Sequence, residues 1–437
     1  MTSSSRRYTI PGSDPGQTLT SANPVARRDF LRRGAAIAGA AVSGVVGAAV
    51  QVPALAAESV PPWQKVPGIP AGAYGQPSEF EKSVTRHVIR AYPELAPGVG
   101  STLAPIQSFH GTITPSGLHF VRNHNGTPSI DPAQHRLLIH GLVKRPLMFT
   151  VAALSRYPTI TRTYFIECAG NSGRNLTPQP QQIPAGVLHG LISNTEWTGI
   201  PLSLLLEEAG LEPGAAWLLA EGADSASMSR SVPLEKALDD AMIALYQNGE
   251  RLRPDQGYPV RLFLPGWEGN MNVKWLRRLK VTDGPTHTKD ETSKYTDPLR
   301  DGKALQFTYE MGVKSVITQP SSGMKLDGYG YHEISGMAWS GAGRIRRVEV
   351  STDGGTTWKD AALHGQQLSK SVARFRLPWE WNGAPAVLQS RATDERGNVQ
   401  PSREAWLARY AVDARFHNNS IASWELGADG SVKNVYA

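Results

Sequence analysis

Residues Phe165 to Asn175 read FIECAGNSGRN, and the fourth of them, Cys168, is the only cysteine in 437 residues. The run leading into it, RTYFIE from Arg162, is rich in β-branched and aromatic side chains, which suit a pleated, half-buried strand. AGNSGRN then breaks the run with glycine, as a loop does. A strand running into a loop presents the Cys168 sulfur at a strand end and not in mid-sheet. A single thiol forms no internal disulfide. One reading is a small buried hydrophobe; another is a soft ligand suited to a thiophilic metal. The partners of a zinc site are missing, with no second cysteine and no histidine pair at ligand spacing nearby. If Cys168 binds a metal, most of the coordination comes from outside the protein, and a pterin whose dithiolene supplies two sulfurs would meet that need.

The N-terminus bears on where that chemistry takes place. ARRDFLRR (Ala26 to Arg33) precedes a weakly apolar Gly- and Ala-rich stretch, Gly34 to Val50, and then VPALAAES with Ala54 and Ala56 at the small-residue positions of a cleavage site. The order resembles a twin-arginine export signal over residues 1–56. The stretch is too short and too poorly apolar for a bilayer span. Export by this route implies a periplasmic protein that folds around its cofactor first. The six arginines of this segment against Asp14 and Asp29 supply +4 of the formal net charge of +7. What remains is too mild for a nucleic-acid-binding face. No second candidate span follows, so the mature protein is expected to have no membrane span. A composition of 40% hydrophobic and 19% charged residues is that of a folded globular chain.

Residues 57–102, rich in proline and glycine, are expected to form an extended wrapping segment. From 103 to 285 short apolar strands mix with a few helices. RLLIHGLV (Arg136 to Val143) and RTYFIECAG (Arg162 to Gly170) read as strands, LSLLLEEA (Leu202 to Ala209) and LEKALDDAMIAL (Leu234 to Leu245) as helices. The absence of a regular strand–helix repeat predicts an α+β fold class, not a doubly wound sheet. Residues 286–312 are polar and read as a connecting loop. From 313 to 415 the texture is all-β: RIRRVEVSTDGGTTW (Arg344 to Trp358) predicts a hairpin broken at Asp353, Gly354 and Gly355. RFRLPWEW (Arg374 to Trp381) and VLQSRATDERGNVQP (Val387 to Pro401) continue the pattern, and the whole suggests an immunoglobulin-like sandwich whose job is contact, not chemistry. Residues 416–437 are left as a C-terminal tail.

Three motifs carry a family resemblance: FVRNH (Phe120 to His124), ECAGN around Cys168, and PGWEGNMNVKWLRRLKV (Pro265 to Val281). In this order, from Leu103 to about Val412, the chain resembles the sulfite oxidase family of molybdopterin enzymes. Within it, IECAGN, AEGADSA, GWEGNM and TSKYTD look most like the periplasmic sulfane dehydrogenase molybdenum subunits of sulfur oxidation. The resemblance implies a molybdopterin-binding catalytic domain followed by a dimerisation domain, and a homodimer. It implies a molybdenum–molybdopterin cofactor with Cys168 as the protein's metal ligand. Arg122 and His124 would reach the metal pocket, Arg122 binding an anionic sulfur oxyacid through its forked, always-charged guanidinium. Asn123, His124, Asp224 and Lys274 would hold the pterin or its phosphate, and Tyr295 would be the pocket tyrosine. Trp267 and Trp275 read as packing residues, not electron conduits.

Two positions depart from the family pattern. Met271 stands where vertebrate and plant members place an arginine, which removes an anion contact from that pocket edge. Arg174 lies one residue beyond the usual second cationic contact.

The implied reaction is oxygen-atom transfer to a sulfur compound, sulfane sulfur or sulfite. The cofactor carries the redox chemistry and the protein the orientation. With one cysteine the chain has no C-x-x-C-H site and hence no covalent haem, so a separate c-type cytochrome is the expected electron acceptor. Two other classes remain at this stage. One is a metal-free thiol enzyme with Cys168 as nucleophile and His124 as base; the other is a cofactor-free periplasmic binding protein.

Overall fold

Strand Ile160–Glu167 ends one residue before Cys168, where the sequence places it. It runs antiparallel to Ile192–Pro201, from Ile160 opposite Gly199 to Glu167 opposite Ile192. Met242–Gln247 continues that sheet, pairing with Glu250–Arg251 and Arg261–Phe263 as well. A second five-stranded sheet is ordered Leu147–Thr150, Arg136–Gly141, Leu276–Thr282, Trp217–Gly222, Ser229–Pro233, with one parallel pair, Arg136–Gly141 and Leu276–Thr282. The computed structural model describes residues 60–90, 98–292 and 294–437. The export-signal stretch 1–56 lies outside them. Residues 60–76 belong to a separate unit that ends at Gln76 and holds one 3-10 turn, Pro62–Gln64. Everything below concerns the unit Pro77–Ala437.

Helix Leu202–Ala209 forms with the expected bounds, because Leu202, Leu205, Leu206 and Ala209 recur on one face and are all buried. Each leucine so removed from water contributes about 1.5–3 kcal/mol. Gly210, at φ +69°, ends the helix, its N–H donating to the carbonyls of Leu206 and Glu207.

The expected helix Leu234–Leu245 is only half correct. The helix is Leu234–Asp239, and Met242–Gln247 is a strand. MIAL is an apolar run buried on both faces, and such a short run reads the same way in helix or strand. Here the pairing with Ile192–Pro201 on one side and Arg261–Phe263 on the other decides it.

The segment before 103 contributes strands His87–Arg90 and Gly100–Leu103; the second pairs with the first on one side and with Val121–Asn123 on the other, and so fixes the end of FVRNH. The stretch 286–312 is more than a connector. It folds into a short helix, Lys289–Thr292, and a hairpin of Asp297–Pro298 with Ala304–Leu305, and it buries Glu291, Tyr295 and Asp297. Glu291 and Asp297 are tolerated inside because Arg230 and His417, respectively, pair with them.

The C-terminal portion is a sandwich of two antiparallel sheets. One is Lys314–Gln319, Gly330–Trp339, Ala373–Trp381 and Ala362–His364. The other is Lys359–Asp360, Ile345–Ser351, Ala386–Asp394, Ser423–Leu426 and Val432–Val435. The expected hairpin forms, with Asp353 to Gly355 between Ile345–Ser351 and Lys359–Asp360. The expected tail 416–437 does not hang free: Ser423–Leu426 and Val432–Val435 complete the second sheet. They do so because Trp424, Leu426 and Val432 alternate inward against outward Glu425 and Lys433.

One apolar core runs through both halves. Phe165, Ile166, Trp197 and Phe263 of the first sheet share it with Val316, Met337, Trp339, Phe375 and Trp424 of the sandwich. A separate core joins the second sheet, the helices and the opposite face of the first sheet, where Ile200, Ile243, Leu245 and Leu262 point. Among the described residues, no helix is long and apolar enough to cross a membrane.

Candidate active site

All seven site residues proposed from sequence line one cleft: Arg122, Asn123, His124, Cys168, Asp224, Lys274 and Tyr295. They arrive from five places. Cys168 follows strand Ile160–Glu167, and Arg122 to His124 close strand Val121–Asn123. Asp224 follows Trp217–Gly222, Lys274 precedes Leu276–Thr282, and Tyr295 stands in the connector. Strand ends converging on one hollow are where sheets present reactive side chains.

Cys168 is half-buried. Burial pushes its thiol up, against a lowering by the Gly170 backbone and by Arg122. The loop Gly269–Met271 closes over it. A Cβ on Gly269 would lie 3.1 Å from the Glu167 carbonyl oxygen and 3.3 Å from Cys168 Cα, so any larger residue there would push against the backbone that carries the thiol.

Lys274 is held from three sides. Its ammonium donates to the Arg122 carbonyl at 3.3 Å, to the Asp255 carbonyl at 3.1 Å and to Asn123 Oδ1. Burial, then Arg261, pulls its pKa down to about 7, with Asp255 and Asp224 pulling the other way. Burial also takes His124 down to about 4, helped by Arg122, Lys294, Lys274 and Lys289, so the imidazole is neutral at pH 7. Tyr295 Oη lies 3.3 Å from His124 Nε2. The phenol, pushed up by burial first, stays protonated. Tyr295 and Trp275 take φ of 55° and 52°, a region that costs a non-glycine residue about 1–3 kcal/mol and recurs at functional sites.

Behind Tyr295 sits a buried charge network. Arg230 lies 4.9 Å from the Tyr295 ring centroid, 3.1 Å from Glu268 and 2.9 Å from Glu291. His417 bonds Asp297 at 2.7 Å and pairs with Glu268 at 3.3 Å. Burial opposes the imidazolium, but the two carboxylates prevail and hold its pKa at about 10.

Several wall residues were not anticipated from sequence. Arg261 is buried, drawn down to about 9 by burial, and donates to the Gln256 and Asn272 carbonyls at 3.0 and 2.9 Å, leaving Nε without a partner. His119 Nδ1 sits 2.8 Å from the Phe120 carbonyl, and its Nε2 is orphaned. Asn270 leaves both amide atoms unpartnered, and Asp224 leaves Oδ1 so. Asn270, in GWEGNM, had a motif to announce it. Arg261 and His119 lie in stretches whose local pattern is plain strand or turn.

The two departures noted from sequence fall elsewhere. Met271 is wholly buried in the second core, Arg174 is exposed, and neither lines the cleft. The expected loss of an anion contact at residue 271 therefore does not describe the cleft wall.

Residues 124–289 match the family described as oxidoreductase molybdopterin binding domain, and residues 305–423 that described as Mo-co oxidoreductase dimerisation domain. Sulfite oxidase of Gallus gallus is 33% identical over 70% of this chain and 72% of its own length. The chain belongs to the sulfite oxidase family of molybdopterin oxidoreductases. A solved structure of the sulfane dehydrogenase SoxCD from Paracoccus pantotrophus superposes with a TM-score of 0.84 at 46% identity, covering 86% of this chain and 97% of that one. Nitrate reductase [NADH] 1 of Arabidopsis thaliana is 34% identical over 68% of this chain, which spans 37% of that protein's length.

The wall of this family member suits a large polar group. His119, Asp224, Arg261 and Asn270, each with a buried polar atom lacking a partner, line one hollow, and such groups are otherwise costly. Among the described residues no three His, Cys, Asp or Glu side chains gather to hold a metal. A metal at Cys168 would bring its remaining ligands with it, as a molybdopterin does.

Proposed function

We propose that this chain is the molybdenum subunit of an exported sulfur-compound dehydrogenase acting on sulfane sulfur or sulfite. The observation that carries the reading is the sole cysteine at a strand end, opening on a cleft shared with Arg122, His124 and Tyr295. The 46% identity to a sulfane dehydrogenase over 86% of the chain supports it. The molybdenum–pterin group, when bound, supplies oxygen-atom transfer and a two-electron redox change.

The chain's own residues then divide the work. The Cys168 thiolate is the protein ligand of the metal. Lys274, Asn123 and Asp224 hold the pterin, and an anionic group beside Lys274 restores the charge that burial weakens. Arg122 binds the oxyanion end of the substrate, and Lys289 and Lys294 add to the positive field around His124. Tyr295 and His124, both neutral at pH 7, offer hydrogen bonds without competing for the anion's charge. Electrons leave to a separate c-type cytochrome, the sandwich serves a homodimer, and residues 1–56 direct twin-arginine export to the periplasm.

The thiol-enzyme reading loses ground because burial raises the Cys168 thiol, whereas a thiol nucleophile is activated by lowering. The deciding experiment is metal analysis of the purified mature protein, with steady-state turnover of sulfite and thiosulfate with and without ferricytochrome c. About one molybdenum per chain and cytochrome-dependent turnover are expected, the redox step belonging to the cofactor. A catalytically competent preparation free of molybdenum overturns the reading.

A further inference from the structure

We propose that Lys314, through its ion pair with Glu167, is a positioning residue for Cys168: a strut from the sandwich that sets the loop carrying the thiolate. The inference rests on the reading of Cys168 as the metal's protein ligand. Glu167 immediately precedes Cys168, and Lys314 opens the first sandwich strand; their side chains are 1% and 2% exposed. The Lys314 ammonium donates to Glu167 Oε1 at 3.0 Å and to Ser172 Oγ at 2.7 Å, so one cation grips both ends of the segment 167–172. The second carboxylate oxygen accepts the Trp339 indole N–H at 2.6 Å, also from the sandwich. Asn171 donates to Glu167 Oε1 at 2.9 Å and accepts the Leu191 N–H at 3.0 Å. Ser172, at φ 64°, also has its Oγ 2.6 Å from His189 Nδ1.

Two further sandwich contacts reach the same loop. The His417 N–H donates to the Ala169 carbonyl at 2.8 Å, and the Asn418 amide to the Ser172 carbonyl at 3.1 Å.

The shared apolar core already docks the two halves, so a buried ion pair is not required to hold them together. Burying two charges is expensive, and its return is strict geometry. That geometry is spent on the residue beside Cys168. Charge points the same way, since the Glu167 carboxylate next to a thiolate is repulsive and Lys314 cancels it. Lys314 itself is not on the cleft wall, so it acts through the loop and not on substrate.

The test compares holoenzymes of wild type, Lys314→Met, and the double variant Lys314→Gln with Glu167→Gln, which keeps a hydrogen-bonded pair without charge. Readouts are molybdenum content, kcat and KM for sulfite and thiosulfate with ferricytochrome c, and the electron paramagnetic resonance spectrum of the partly reduced metal. Lys314→Met is expected to lower kcat about tenfold or more with KM changed by less than about threefold, and to shift the spectrum, because small misplacements of a reacting group are costly. The double variant is expected to recover to within about threefold of wild type.

If Lys314→Met does not accumulate folded, Trp339→Phe, which removes one neutral donor to Glu167, decides. A loss of about threefold in kcat with a shifted spectrum supports the strut, and wild-type values overturn it. Wild-type protein lacking molybdenum overturns the ligand assignment on which the strut depends. Molybdenum-loaded wild type together with a Lys314→Met enzyme of unchanged kcat and spectrum overturns the strut alone.

Discussion

The Tyr295 hydroxyl lies 3.3 Å from His124 Nε2, linking the segment after the molybdopterin-binding domain to the end of FVRNH on the cleft wall. The tyrosine ring is held from two other sides, with the Arg230 guanidinium 4.9 Å from its centroid and the Phe416 ring at 5.2 Å. Its hydroxyl is thus placed by packing, leaving the polar end to chemistry.

Tyr295→Phe keeps that packing and deletes the hydroxyl. It is expected to lower kcat/KM for sulfite or thiosulfate by about 100-fold or more, as loss of one preorganised donor does. Molybdenum content and the unfolding midpoint should stay at wild-type values. Steady-state kinetics beside metal analysis check it, and an unchanged kcat/KM would remove Tyr295 from the catalytic set.

Cys168→Ser replaces the soft ligand by a hard one in the same space. Turnover is expected to fall below about 1% of wild type while stability changes by less than about 1–2 kcal/mol, since no packing volume is lost. Circular dichroism and the cytochrome-coupled assay measure the two parts. A variant retaining most of the wild-type rate would show that the thiolate is not the ligand.

His417 makes stability depend on pH. Its folded-state pKa of about 10 lies above the ordinary 6.5, so the folded protein holds the proton more tightly than the unfolded chain. The stabilisation is whole below about pH 6.5 and is lost as pH rises towards 10, by up to about 1.4 kcal/mol per unit. Asp297 and Glu268 face the ring, and Arg230 shares Glu268. Urea unfolding at about pH 6 and about pH 9 should show wild type losing stability between the two and His417→Gln losing distinctly less. Equal slopes would mean that the imidazolium is not the group responsible.

Met271→Arg tests the anion contact that the sequence pattern suggested at this position. Met271 is fully buried among apolar neighbours, so the guanidinium would enter the core unpaired. A loss of about 3–5 kcal/mol is expected, with no fall in KM for sulfite. Urea unfolding and a KM measurement settle both, and a lower KM would place residue 271 on the substrate side.

Read along the chain, local pattern alone located the thiol at a strand end, because an apolar β-rich run stopping at a glycine-broken loop has few other forms. It likewise determined helix Leu202–Ala209 and the hairpin at Asp353 to Gly355, while six of the seven residues that share the cleft were pointed out by the family resemblance and not by local pattern. Local pattern could not divide LEKALDDAMIAL, since strand pairing on both sides of Met242–Gln247 outweighs helical spacing there. It overlooked the alternation in SWEL and SVKNV, which gains meaning only beside Ala386–Asp394. Above all, Lys314 meets Glu167 across 147 residues, and His417 and Asn418 reach the same loop from still further along. Short-range periodicity carries no information about such encounters. They arise when two sheets bury a common apolar face, and that burial, decided only in three dimensions, turns distant charged residues into the frame of the site.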